Sequence, residues 1–367
     1  MLKRRDILKL ALLSPWLAGC GGDEPSRGEL PIPTTIRPDD WPTASPESQG
    51  IAASAMPILL DGAAALPFMY SIVVVRNGLL VGERYYAGAQ SSDLRSVASV
   101  TKTVSSLLIG QAIGDGRISN TSATLRTLLP AELAKTPNPF AAEITLQQVL
   151  DMRGGQQWDE AARQRDATTA RDMTAFALAL PSDGRPRGSR FEYSTATSHL
   201  LSPILKNAYG VDTFELATRQ LFQPLGIAQT AWSRDESGMI HGSFGLQMRT
   251  RDLAKLAWMT IDGGRWQGRS VVPAQWLTQS HVAHTTGLDN TGRLLNTGYG
   301  NMWWMGVMAG YPVVFAWGYG GQHALLVPSL NLVIATAAEL RVEYATAGTN
   351  QRMLVDLIAR FLQAVNG

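Results

Sequence analysis

Two runs of aliphatic and β-branched residues lie on either side of a short polar segment in the first quarter of the chain. The runs span residues 71–75 and 79–85, and Arg76-Asn77-Gly78 separates them. Branched side chains favour extended strands, and Asn-Gly tolerates the positive φ angles of a tight hairpin turn. The pattern therefore predicts a β-hairpin over residues 71–85.

The hydrophobic pattern changes to a helical period at Ser99. Apolar residues then recur at intervals of three and four as far as Ile113, and they cover more than one face of the predicted helix. Gly114-Asp115-Gly116 follows and is typical of a helix end. A helix that is apolar nearly all round is surrounded by protein, so we expect this helix in the middle of a domain.

The rest of the chain divides into a mostly helical middle, roughly residues 119–297, and a region near the C-terminus where strands return. Apolar spacing predicts helices over residues 145–152, 173–180, 213–222 and 250–261. It then predicts strands over residues 313–317, 322–327 and 332–337, and a final amphipathic helix over residues 350–365. We predict an α/β fold of the α+β type, in which both chain ends build one antiparallel sheet flanked by helices, with the helical region inserted.

Residues 1–20 have the layout of a secretory signal peptide. A basic start precedes an apolar stretch, residues 7–17, which is too short to span a bilayer. Residues 3–9 resemble a twin-arginine export signal, and Leu17-Ala18-Gly19-Cys20 resembles a bacterial lipobox. In a lipobox the cysteine is lipidated and becomes the mature N-terminus, and Cys20 is the only cysteine in the chain.

These features predict an exported lipoprotein. We expect a periplasmic protein in the cell envelope whose membrane anchor is the lipid on Cys20, with the outer membrane favoured over the inner. Residues 21–46 are rich in Pro, Gly and Ser and predict a flexible tether. The globular domain would then span residues 47–367.

Composition and charge exclude other classes of function. The chain has 32 Lys and Arg against 30 Asp and Glu, and no basic run stands out beyond the first few residues. We therefore expect no nucleic-acid partner. The five histidines show no metal-ligand spacing beside cysteine or carboxylates, so we expect no metal site.

Ser99 and Lys102 are the first candidates for chemistry. They lie three residues apart, so they share one face of the predicted helix. A serine hydroxyl becomes a nucleophile when a base removes its proton, and burial lowers the pKa of a lysine until its neutral amine can do so. In the structural alternative, Ser99 caps the helix and Lys102 reaches the surface. The surrounding apolar pattern favours a buried lysine.

Four dispersed segments resemble one known family. They are residues 96–103 around Ser99, residues 144–155, Phe222-Gln223-Pro224-Leu225-Gly226-Ile227, and residues 316–322. In this order they resemble the serine hydrolases related to class C β-lactamases, DD-peptidases and 6-aminohexanoate-dimer hydrolase, and the likeness runs from about Trp41 to the C-terminus. The resemblance implies a β-lactamase/transpeptidase-like fold with Ser99 as nucleophile and Lys102 as its base.

The second catalytic motif of this family is Tyr-x-Asn, and Tyr193-Ser194-Thr195 occupies its place. By this resemblance Tyr193 is the acid/base residue, and we expect a nearby ammonium to lower the pKa of its phenol. The alternative is an ordinary core aromatic. Thr195 departs from the motif, because a hydroxyl cannot offer the forked amide of asparagine.

The third motif, usually Lys-Thr-Gly or His-Thr-Gly, falls at Ala316-Trp317-Gly318, where the cation is missing. That cation helps hold the carboxylate of β-lactams in relatives, so its loss favours esters or simple amides. The N–H of Ser99 and one from residues 318–320 would form an oxyanion hole, which needs backbone donors only. The candidate substrate and oxyanion residues are Thr195, Ala316, Trp317, Gly318 and Gly320.

Three functions remain open at this point. The first is an esterase- or amidase-like serine hydrolase that works through an acyl-enzyme without a cofactor. The second is a β-lactamase or DD-peptidase, which export to the envelope supports. The third is a non-catalytic binding lipoprotein, suggested by the changes at Thr195 and Ala316. The expected partners are a small-molecule ester, amide or β-lactam-like substrate and the membrane; the sequence sets no oligomeric state.

Overall fold

The computed structural model describes residues 41–366. The strands are β1 (Met69–Arg76), β2 (Leu79–Tyr85), β3 (Arg95–Ser96), β4 (Ala231–Trp232), β5 (Leu246–Met248), β6 (Arg265–Trp266), β7 (Arg269–Ser270), β8 (Thr285–Leu288), β9 (Leu294–Gly300), β10 (Trp303–Met308), β11 (Tyr311–Gly318), β12 (Gln322–Val327) and β13 (Leu332–Ala338). The α-helices are α1 (Ala55–Ala64), α2 (Val100–Gly114), α3 (Leu125–Leu128), α4 (Pro130–Lys135), α5 (Pro139–Ala142), α6 (Leu146–Leu150), α7 (Glu160–Thr168), α8 (Met173–Ala179), α9 (Thr195–His199), α10 (Leu201–Tyr209), α11 (Thr213–Ala217), α12 (Thr250–Ile261), α13 (Ala274–Ser280) and α14 (Tyr344–Ala364).

The main sheet is antiparallel and has eight strands in the order β2-β1-β13-β12-β11-β10-β9-β8. The predicted hairpin, β1 and β2, joins the C-terminal strands because β1 pairs with β13, where Val74 lies opposite Ile334. The prediction of one antiparallel sheet built from both chain ends is therefore confirmed.

Helices cover both faces of this sheet. Helices α1 and α14 pack on one face, where Ile72, Phe315 and Ile334 of the sheet meet Ile358 and Phe361 in the main hydrophobic core. Helices α2 and α12 pack on the other face. Because successive side chains of a strand point to opposite faces, the central strands are buried on both sides and their sequences are almost continuously apolar.

The region predicted as a helical insertion, residues 119–297, also contains strands. Strand β8 falls within it and β9 begins within it, and both extend the main sheet, while β4 and β5 join β3 in a small sheet of order β3-β5-β4. The sequence of β9, Leu-Leu-Asn-Thr-Gly-Tyr-Gly, has neither alternating nor continuous hydrophobicity. Its extended form depends on pairing with β10, which a local pattern does not encode.

The helix predictions agree with the structure in position more closely than in length. Helix α12 has the predicted bounds, whereas the helix predicted over residues 213–222 divides into α11 and a π-helical turn, Thr218–Phe222. The final helix begins at Tyr344, earlier than predicted. Within residues 41–366, no helix has the combination of length and apolar character needed to cross a bilayer.

The predicted tether, residues 21–46, is too long at its C-terminal end. Trp41 is buried, and its indole Nε1 donates a hydrogen bond to the carbonyl of Gly78 at 2.8 Å. The backbone N–H of Leu80 donates to the carbonyl of Pro42 at 2.9 Å, so this segment is fixed against the hairpin. The domain therefore includes residues from Trp41 onward. The predicted signal peptide, lipobox and Cys20 lie outside the described residues.

Candidate active site

A strained turn places Ser99 at the start of α2. The N–H of Val97 donates to the carbonyl of Leu246 at 3.0 Å, which ties the end of β3 to β5. Ala98 then adopts a φ of 47°, a left-handed conformation that is unfavourable for alanine. The hydroxyl of Thr101 donates to the carbonyl of Ala98 at 2.7 Å and stabilises the turn. Backbone strain of this kind is commonly retained where it serves a site.

Lys102 lies beneath Ser99 in the interior. Its side-chain Nζ donates hydrogen bonds to Oγ of Ser99 at 2.9 Å, to the carbonyl of Ser243 at 3.0 Å and to Oγ1 of Thr195 at 3.3 Å. Lys102 is 2% exposed. Burial lowers the pKa of Lys102 from 10.5 to about 8, although the Glu160 carboxylate acts in the opposite direction. A neutral amine is therefore accessible near neutral pH, at the distance from Ser99 that a base requires.

Tyr193 lies beside the same amine. Its ring centroid is 5.0 Å from Nζ of Lys102, and its ring stacks on Trp304 with centroids 5.9 Å apart. Burial raises the pKa of Tyr193, and the hydroxyl of Ser99 opposes that change only in part. The expected lowering of this pKa is therefore wrong, because the loss of water outweighs the hydrogen bond with Ser99 that lowers it. Tyr193 is a neutral phenol that can donate a proton.

Thr195 is held by the carboxylate of Glu160, a residue that no sequence motif indicates. The hydroxyl of Thr195 donates to the Glu160 carboxylate, and the N–H of Thr195 donates to Oε2 of the same group at 2.8 Å. The indole of Trp158 donates to that oxygen as well, at 2.8 Å. Glu160 is the first residue of the polar helix α7 and follows the capping residue Asp159. Acidic residues at this position are typical of any surface helix, so the sequence carries no local signal for a role of Glu160 in the site.

The end of β11 lies against the turn that carries Ser99. A Cβ atom on Gly318 would be 2.4 Å from the carbonyl oxygen of Val97, so only glycine allows this approach. Within residues 41–366, the backbone N–H groups of Ser99 and Tyr319 donate no hydrogen bond to a protein atom. Ala316 is buried within the strand, and a Cβ on Gly320 would instead meet the carbonyl of Glu339. Of residues 316–320, Trp317 and Tyr319 line the cavity beside Ser99, whereas Ala316, Gly318 and Gly320 do not.

A cavity of about 610 Å³ opens onto Ser99. Much of its wall is aromatic, formed by Phe191, Tyr193, Trp304, Trp317 and Tyr319. Trp303, by contrast, is buried in the core at 2% exposure. Glu160 and Arg352 bring charges of opposite sign to the lining. No group of His, Cys, Asp and Glu within residues 41–366 is arranged to hold a metal ion.

Comparison with known proteins agrees with this architecture. The β-lactamase family profile matches residues 63–355. The chain belongs to the β-lactamase family. The chain is also similar in sequence to the 6-aminohexanoate-dimer hydrolase of Paenarthrobacter ureafaciens. The two are 27% identical over 225 residues, which cover 56% of this chain and 55% of that protein. The match therefore spans about half the length of that hydrolase.

Solved structures of other β-lactamase-fold proteins superpose on most of the chain. A proposed 6-aminohexanoate-dimer hydrolase from Bacillus anthracis has a TM-score of 0.68 at 20% identity, covering 84% of this chain and 83% of that one. An octameric penicillin-binding protein homologue from Pyrococcus abyssi has a TM-score of 0.64 at 17% identity, covering 83% and 77%. At these identities the likeness shows the shared fold of the β-lactamase family and no particular substrate.

Proposed function

We propose that this member of the β-lactamase family is a serine hydrolase that cleaves esters or simple amides through an acyl-enzyme on Ser99. The observation that carries the proposal is the contact of 2.9 Å between Nζ of Lys102 and Oγ of Ser99 inside the protein. The lowered pKa of Lys102, about 8, supports the same assignment. A lysine that reached solvent would keep its proton and could not serve as base.

The reaction begins when the neutral amine of Lys102 accepts the hydroxyl proton of Ser99. A bond forms between Oγ of Ser99 and the substrate carbonyl carbon, and the N–H groups of Ser99 and Tyr319 are the donors available to the resulting oxyanion. Tyr193 donates its phenolic proton to the departing alcohol or amine as the carbonyl bond to that group breaks, and Lys102 restores the proton to Tyr193. Water then bonds to the acyl carbon as Lys102 accepts its proton, the bond between that carbon and Oγ of Ser99 breaks, Oγ takes the proton back from Lys102, and the acid leaves. No cofactor enters this scheme.

The cavity favours substrates with an apolar part. Trp304 and Trp317 lie with their ring centroids 5.7 Å apart, and Phe191 packs against Trp304 at 6.1 Å. Aromatic walls of this kind bind flat or aliphatic groups by burying apolar surface, at about 25 cal/mol per Å². We therefore propose that esters with a hydrophobic acyl or alcohol part are turned over faster than acetate esters.

A second candidate function is cleavage of β-lactams or peptidoglycan peptides. The cation of the third motif is absent, but Arg352 of α14 lines the cavity and supplies a positive charge from another element. A guanidinium binds carboxylates in a forked geometry, and β-lactams carry a carboxylate. This observation favours anionic substrates as a second class beside neutral esters.

Replacement of Ser99 tests the proposal. We expect the Ser99→Ala variant to lose hydrolysis of p-nitrophenyl butyrate and labelling by a fluorophosphonate probe. The matched control is Ser122→Ala, at an exposed position, which should keep both. Unchanged turnover in Ser99→Ala would refute the assignment, and a folded wild type that is silent to every probe would favour a non-catalytic binding protein. Nitrocefin turnover or labelling by a fluorescent penicillin would favour the β-lactam alternative.

We also propose that the protein is a lipoprotein of the cell envelope, anchored through Cys20. The lipobox-like Leu17-Ala18-Gly19-Cys20 and the twin-arginine-like segment support this proposal. In a bacterial host fed radioactive palmitate, the wild type should incorporate label and sediment with membranes. A Cys20→Ala variant should do neither, and equal labelling of both would exclude this anchor.

A further inference from the structure

The contacts of Thr195 form a directed chain from Lys102 to Glu160. Nζ of Lys102 donates to Oγ1 of Thr195 at 3.3 Å, and that hydroxyl donates its single proton to the Glu160 carboxylate. A hydroxyl has one proton and two lone pairs. Because the proton of Thr195 is committed to Glu160, its oxygen is left to accept from Lys102.

Glu160 holds Thr195 at two points, because it also accepts the backbone N–H of Thr195 at 2.8 Å. The carboxylate is itself fixed by the indole of Trp158 and by its place at the start of α7, behind the Asp159 cap. Thr195 is 1% exposed, so no bulk water competes for its hydroxyl. The direction of the hydrogen bond to Lys102 is therefore set by the protein.

We propose that Glu160 is a positioning residue for the Ser99–Lys102 pair, acting through the hydroxyl of Thr195. The carboxylate replaces the asparagine amide that is absent at position 195, and its charge adjusts the proton affinity of the amine. This inference rests on the proposed function, since positioning has a purpose only if Lys102 acts as the base.

Among the described residues, Glu160 is the charged group that acts on the pKa of Lys102. The amine faces Ser99 from the turn before α2, the ring of Tyr193, the hydroxyl of Thr195 and the carbonyl of Ser243, all of them uncharged at neutral pH. Glu160 raises the pKa of Lys102 against the larger effect of burial. One hydroxyl oxygen separates the two charged groups, so their interaction is strong enough to shift a titration by about one pH unit.

The experiment replaces the carboxylate with its neutral isostere, Glu160→Gln. Lysine labelled with ¹³C at Cε reports the pKa of Lys102 by NMR without any substrate, and the Lys102→Met spectrum identifies its resonance. We expect the pKa of Lys102 to fall by about one unit in Glu160→Gln. The acid limb of kcat/KM for p-nitrophenyl butyrate should move to lower pH by the same amount. A purely structural role would lower the amount of folded enzyme without moving either profile.

The matched control is Asp166→Asn on the same helix. Asp166 is 60% exposed and lies beside Arg163, so its removal changes the net charge equally and should leave both profiles unchanged. An unchanged pKa of Lys102 in Glu160→Gln would overturn the inference. Absence of wild-type hydrolysis together with a shifted pKa would instead refute the proposed function, and with it the purpose of positioning, while the coupling of Glu160 to Lys102 would stand.

Variants of Thr195 test the link independently if Glu160→Gln folds poorly. Thr195→Val keeps the shape and the carboxylate but removes the hydroxyl, and we expect fluorophosphonate labelling of Ser99 to slow about tenfold. Thr195→Ser restores the hydroxyl and should recover most of that rate. Equal labelling rates in all three proteins would overturn the proposal.

Discussion

Replacement of Lys102 by methionine separates the cost of burying an amine from its proposed use in catalysis. Methionine keeps an unbranched chain of similar length in the same space. Burial brings the pKa of Lys102 from 10.5 to about 8. Each pKa unit corresponds to about 1.4 kcal/mol, so a protonated Lys102 costs the folded state about 3 kcal/mol at neutral pH.

The sign of the pH dependence follows from proton binding. The pKa of Lys102 is about 8 in the folded state and 10.5 as the reference value for the unfolded chain, so between these pH values the unfolded chain binds the additional proton. The free energy of unfolding of the wild type therefore rises with pH across this window, while the penalty is fully present below pH 8. Methionine does not titrate, so the variant lacks this contribution.

The measurement is urea unfolding of wild type and Lys102→Met at pH 7 and pH 10.5. The variant also loses the hydrogen bonds that Lys102 donates to Ser99, Thr195 and Ser243. That loss changes the free energy of unfolding at both pH values alike. Other titrating groups are common to both proteins and cancel in the difference. We expect the wild type to gain about 2–3 kcal/mol relative to the variant between the two pH values. A difference that does not depend on pH would refute the lowered pKa and the amine's role as base.

Three further predictions concern activity. Since only the neutral amine of Lys102 can accept a proton, kcat/KM for p-nitrophenyl butyrate should rise with pH through an apparent pKa near 8, and a profile flat from pH 6 to 9 would contradict this. Tyr193→Phe keeps the ring that stacks on Trp304 but removes the proton donor, so kcat should fall about 100-fold or more with little change in thermal stability. Gly318→Ala places a Cβ against the carbonyl of Val97, so the oxyanion donors should shift and kcat should fall at least tenfold; full activity would show that β11 takes no part.

The sequence by itself determined much of the framework. The Asn-Gly hairpin, the buried helix α2, the strands β11 to β13 and the final helix are all local patterns, because hydrophobic period and turn residues act over a few positions. The spacing of Ser99 and Lys102 on a helix needs no tertiary information either. The resemblance to a known family indicated Tyr193 as a further site residue, and the structure places its ring beside the amine of Lys102.

Only the tertiary structure decided how these parts behave together. Glu160 reaches Thr195 from another helix. Strand β9 is extended because it pairs with β10, and β8 because it pairs with β9. Trp41 packs on the hairpin although its neighbours in sequence are typical of a linker. The pKa of Tyr193 rises where proximity to an amine had predicted a fall. Each of these outcomes depends on the loss of water and on contacts between distant residues. Both are properties of the folded interior, and a pattern that extends over a few residues does not contain them.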